Sequence, residues 1–117
     1  MATATEWTAP TPIHELRSTF GLSREQMGRL LEVSARTIER WEASGKMPTR
    51  PSMRRRLTQL QEIAELARMV LTPEGVVLFM QRSAPAFGGC TALQLIEDGE
   101  GERVVGALAG LYEGVPS

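Results

Sequence analysis

Arg36 and Arg40 stand four residues apart in the stretch from Ala35 to Ser44. If that stretch is helical, they share one face, with Thr37 on the adjoining one. Arginines so placed can grip hydrogen-bond acceptors in pairs, and guanine O6 and N7 in the DNA major groove are such acceptors. Ser34, just before, is of the type that caps a helix start, where free N–H groups suit a phosphate oxygen. Lys46, Arg50, Arg54, Arg55 and Arg56 follow, so that Ser34 to Arg56 holds 7 basic residues against Glu39 and Glu42, a local +5. Such a patch supplies salt-sensitive affinity for a nucleic-acid backbone. Ser34, Arg36, Thr37, Arg40, Lys46, Arg50, Arg54 and Arg55 are therefore the candidate DNA contacts. An arginine cluster is usually a solvated helix face, so the case rests on cap, helix and basic stretch occurring together.

Catalytic chemistry finds no comparable support. His14 is the single histidine and Cys90 the single cysteine. A histidine beside a carboxylate, here Glu15, is far more often a surface pair than a general base, and nothing near Cys90 in sequence would activate its thiol. One cysteine permits neither an intrachain disulfide nor a four-ligand zinc site. Glu97, Asp98 and Glu100 gather at a turn between helices, where carboxylates act as caps. Gly88-Gly89 lacks the lysine of a phosphate loop and reads as a tight turn. The expectation is a protein that is not an enzyme and needs neither metal nor cofactor.

The elements that would position the basic face are well punctuated. A first helix is predicted from Pro12 to Phe20, ended by Gly21. Ser23-Arg-Glu-Gln26 is a capping box that opens a second, with Met27, Leu30 and Leu31 as its buried face. Gly28, with no side chain to intervene, stands where a neighbouring helix is expected to approach closely. After a break at Glu32-Val33-Ser34 the third helix ends at Gly45, with Ile38 and Trp41 facing inward. Two short helices joined by a turn of three or four residues form a helix-turn-helix unit. A long helix from Ser52 to Leu71 follows, rather than the β-wing that a MerR-like regulator would place after Pro48. Met53, Leu57, Leu60, Ala64, Ala67 and Leu71 form one apolar seam on it, and Ile63, Leu66 and Val70 a second. Two stripes predict burial on both sides, inside the fold or at a homodimer interface.

Beyond Thr72-Pro73, a cap and first-position proline, the segment Val76–Met80 is apolar almost all round and is predicted to be buried. Thr91-Ala-Leu-Gln94 is another capping box. A last helix is predicted from Glu100 to Tyr112 with Val104, Val105, Leu108, Leu111 and Tyr112 on its apolar face and Gly114 as its stop. The fold class is thus all-α: an N-terminal helix-turn-helix bundle joined by a long helix to a small helical C-terminal module. Residues 1–11, rich in Thr, Ala and Pro, are expected to form a flexible arm, with 12–71 and 72–117 as the two portions. Met1 to Leu71 carries 11 Lys/Arg against 8 Asp/Glu, whereas Thr72 to Ser117 carries 2 against 6. Charges of +3 and −4 suggest two surfaces with different partners. With no membrane-length apolar run, no leader and one cysteine, the expected compartment is the cytoplasm.

Two stretches together carry a family resemblance. Leu22-Ser23 through Val33-Ser34-Ala35-Arg36-Thr37-Ile38-Glu39-Arg40-Trp41 resembles an Xre-type helix-turn-helix. Phe87-Gly88-Gly89-Cys90-Thr91-Ala92-Leu93-Gln94-Leu95-Ile96, followed by Gly99, Val104 and Gly114, is similar to the C-terminal toxin-binding domain of the Xre/MbcA/ParS antitoxins. The resemblance covers about Ile13 to Val115. It implies a type II antitoxin whose front half binds operator DNA as a homodimer. Its back half would cover the active-site cleft of a RES-type, NAD-consuming toxin. It also implies that Tyr112, Glu113, Gly114, Val115, Pro116 and Ser117 obstruct the toxin's pocket, and an acidic back half suits a cleft built for NAD phosphates. The alternative is a stand-alone helix-turn-helix regulator whose back half only dimerises. The chain departs from the family at Glu32, where many Xre-like domains have glycine, which predicts a turn of different shape. It also has Ala92 where proline often follows the capping threonine.

Overall fold

The computed structural model describes residues 12–114; the predicted arm at 1–11 and the terminal Val115, Pro116 and Ser117 lie outside the described residues. The chain is all-helical. The helices are α1 (Pro12–Phe20), α2 (Arg24–Leu31), α3 (Ala35–Ser44), α4 (Pro51–Val70), α5 (Pro73–Gln81), α6 (Ala92–Glu97) and α7 (Gly101–Gly114). A short 3-10 turn, Pro85–Phe87, stands between α5 and α6. No helix among the described residues is long and apolar enough to cross a membrane.

Local chemistry explains the boundaries. Ser23 caps α2 and Thr91 caps α6, each in a full capping box with the glutamine three residues on. Ser34 and Thr72 cap α3 and α5 through their hydroxyls. Gly88 and Gly89 take φ of 65° and 87°, so the pair is the turn its composition predicts. An isolated antiparallel bridge between Ser83 and Thr91 closes this loop.

Long α4 is the spine, in contact with α1, α2, α5 and α7. Leu57, Leu60, Ile63, Ala64 and Ala67 are buried, while Leu66 and Val70 are partly buried against the same core. Both apolar stripes of α4 therefore find partners within the chain. One continuous core joins Ile13, Phe20, Met27, Leu30 and Ile38 of the front to Val76, Met80, Leu95, Ile96, Val104 and Leu108 of the back. The Phe79 and Phe87 rings meet edge to face at 6.0 Å, tying α5 to the loop that follows it.

The segment Val76–Met80 corrects the expectation of all-round burial. Val76 and Met80 are buried, but Leu78 is 47% exposed. At nine residues, α5 lies on the surface of the core and turns only one side inward. The last helix also continues past Tyr112, to Gly114 at the limit of the described chain.

Candidate functional site

The α2–α3 pair is held at a fixed angle by a tight turn, Glu32 to Ser34. Glu32 takes φ 60° and ψ 41°, the left-handed conformation, although it is not glycine. The turn thus keeps the geometry a glycine would give, at a cost of about 1 kcal/mol for the side chain. Gly28 makes the turn possible. A Cβ there would sit 2.5 Å from the Val33 carbonyl oxygen, and the Val33 N–H donates back to the Gly28 carbonyl at 2.8 Å. The close neighbour of Gly28 is the backbone of the turn itself.

Inside this frame α3 divides its charged residues. Glu42 points inward, its side chain only 7% exposed. It accepts from Arg17 Nε of α1 at 2.6 Å and from Arg24 Nε of α2 at 3.1 Å. His14 Nδ1 lies 3.9 Å from the same carboxylate. One anion therefore fastens three helices. Burial by itself would raise the Glu42 pKa, but the hydrogen bonds from Arg17 and Arg24, with the attraction of both cations, outweigh it and hold the carboxyl below its ordinary range.

The sequence gives no sign of this cluster, because Arg17 and Arg24 lie 25 and 18 positions from Glu42. A carboxyl with a lowered folded-state pKa contributes fully above its unfolded value and loses that contribution as pH falls through the folded one. We therefore expect Glu42→Gln to cost about 2 kcal/mol at neutral pH. The gap from the parent chain should close as pH drops below the ordinary value of 4.5. Thermal melts across pH 3 to 8 (on the order of ten conditions) check this.

The outward side of α3 carries the predicted contacts. Ser34 Oγ accepts from the Thr37 N–H at 3.1 Å and lies 3.1 Å from Thr37 Oγ1, so both residues serve the cap as well as any ligand. Arg36 and Arg40 are exposed; Arg40 reaches Thr37 Oγ1 only at 3.5 Å, the long limit of a hydrogen bond. Lys46, Arg50, Arg54 and Arg55 are also exposed. Among the described residues, Arg36, Lys46, Arg50, Arg54 and Arg55 have no side-chain ion pair. Arg56, counted in the basic stretch, behaves differently: its Nη1 donates to the Leu30 carbonyl at 2.8 Å and locks α4 onto the end of α2.

At the far end of the chain, Leu111 and Tyr112 are 48% and 56% exposed on the last turns of α7. Glu113 and Gly114 are exposed beside them, and Val115, Pro116 and Ser117 fall outside the described residues. Tyrosine is among the residue types that most often anchor protein contacts. Arg29 of α2 and Glu97 of α6, 3.4 Å apart, bridge the front and back portions.

No protein-family model matches the chain. The mycobacterial cidal antitoxin MbcA of Mycobacterium tuberculosis is 28% identical over 96 residues, which are 82% of this chain and 84% of the relative. The Mycobacterium bovis MbcA matches to the same extent. The chain is homologous to an antitoxin. A chain in the crystal structure of the M. tuberculosis MbcT–MbcA toxin–antitoxin complex superposes with a TM-score of 0.73 and 25% identity, over 92% of this chain and 96% of that one. An alignment of 96 residues is longer than either predicted portion, so the similarity to MbcA runs across both.

Proposed function

We propose that this chain is the antitoxin of a type II toxin–antitoxin pair. Its homology to MbcA, with a fold shared across 92% of its length with a chain of the MbcT–MbcA complex, is the observation that carries the reading. The partner is a RES-type toxin that consumes NAD. The back portion, residues 72–117, covers the toxin's cleft, with Tyr112, Glu113, Gly114, Val115, Pro116 and Ser117 obstructing the pocket. The exposed Leu111 and Tyr112 and the acidic charge of this portion support that assignment. Toxin, promoter and antitoxin meet in the cytoplasm. Co-purification with the product of the adjacent reading frame tests the pairing: a stable complex is expected. A chain that purifies alone and still binds DNA would instead be the stand-alone regulator.

The front portion, residues 12–71, acts as a helix-turn-helix of the Xre type that represses its own operon as a homodimer. Support comes from the capped α3 and from the exposed Arg36, Arg40, Lys46, Arg50, Arg54 and Arg55. The expected result of gel-shift titration is that Arg36→Ala and Arg40→Ala each cost about 1–3 kcal/mol on the operator and relax its sequence preference. Arg55→Ala should weaken all duplexes alike and reduce the salt slope by about one. Unchanged affinity in all three variants would remove α3 from the interface.

A further inference from the structure

Of the two carboxylates on α3, one is neutralised and the other is not. Glu42 is enclosed by Arg17 and Arg24. Glu39 is exposed, and among the described residues it pairs with neither Arg36, one turn before it, nor Arg40 beside it. At 100° per residue it stands about 60° around the helix from Arg36 and about 100° from Arg40, on the flank of the cationic face. There it lines a shallow concavity with Arg17, Arg24, Glu25, Ala35 and Arg36.

An unpaired carboxylate on such a face opposes phosphate binding. It becomes favourable where it meets a hydrogen-bond donor, and in the major groove the donors are the exocyclic amino groups of cytosine and adenine. Adenine presents its N7 acceptor next to the N6 amino group, which repels a carboxylate, whereas cytosine presents N4 without an acceptor of its own beside it. Resting on the DNA-binding role of α3 proposed above, we infer that Glu39 is a specificity-determining residue that accepts from cytosine N4. It reads a base pair next to the one gripped by Arg36 or Arg40. Its charge also penalises duplexes that offer no amino group at that position.

The test is selection from a library of randomised duplexes by the full chain and by Glu39→Gln and Glu39→Ala, with melts to confirm that all three fold. The parent chain should enrich a site with one position fixed as cytosine. Glu39→Ala should lose about tenfold of that preference and bind random duplex more tightly than the parent. Glu39→Gln should change the preferred base there from cytosine to adenine, because an amide both donates to N7 and accepts from N6. Variants that enrich the parent site base for base would overturn this inference and leave DNA binding standing. Failure of the parent to enrich any sequence would overturn both.

Discussion

Deleting Tyr112 to Ser117 should abolish capture of the toxin while leaving the fold intact. Tyr112, Glu113 and Gly114 are exposed, and the core contribution of α7 ends with the fully buried Leu108. Loss of Tyr112, Glu113 and Gly114 therefore removes little packing among the described residues, and the melting curve should barely move. The interface loss should be large. A buried tyrosine anchor typically contributes about 2 kcal/mol or more, so Tyr112→Ala alone should weaken the complex by about thirtyfold. The full deletion should exceed a hundredfold (about 2.7 kcal/mol). Titration calorimetry of the purified partner with parent and truncated chains measures both values. Parent-like affinity in the truncated chain would show that α5 or α6, rather than the end of α7, makes the contact.

The second large effect is expected at Gly28. Its Cβ position is 2.5 Å from the Val33 carbonyl oxygen, a backbone atom that the Val33 N–H to Gly28 carbonyl hydrogen bond holds in place. A flexible side chain could step aside, but this turn cannot. Gly28→Ala gains about 0.5–1 kcal/mol of helix propensity but loses more to the clash with the Val33 carbonyl, for a net cost of about 2 kcal/mol. That corresponds to a fall in Tm of about 10 °C for a domain of this size. Gly28→Val should cost more and disturb the angle between α2 and α3, so that DNA binding falls further than stability alone explains. Calorimetric melts read the first effect and gel shifts at a temperature where both chains are folded read the second.

What was legible in the sequence was local. Ser23, Ser34, Thr72 and Thr91 announce their helices because a cap and the N–H it serves are within three residues of each other. The seam of α4 was legible for the same reason, since its period is written in consecutive turns. Interactions between distant positions left no such trace. Glu42 looks like any surface glutamate of an amphipathic helix until α1 and α2 bring Arg17 and Arg24 to it. Arg56 looks like one more cation of a basic run until α2 presents the Leu30 carbonyl.

The misreading of α5 has the same root. The run Val76–Met80 was judged by composition, but exposure depends on what packs above it, and Leu78 has nothing there among the described residues. Of the candidate site, the sequence identified the exposed cations Arg36, Arg40, Lys46, Arg50, Arg54 and Arg55. It missed the ion cluster around Glu42 that fixes α3, the helix carrying Arg36 and Arg40.

The most direct test of the central claim is growth. The adjacent reading frame is induced in a host with and without this chain, and colony formation and cellular NAD are followed. The account predicts that the partner alone arrests growth as NAD falls, and that the parent chain restores both whereas the chain truncated before Tyr112 does not. Continued arrest and NAD loss with the parent chain present, at levels where it is soluble and in excess, would contradict it.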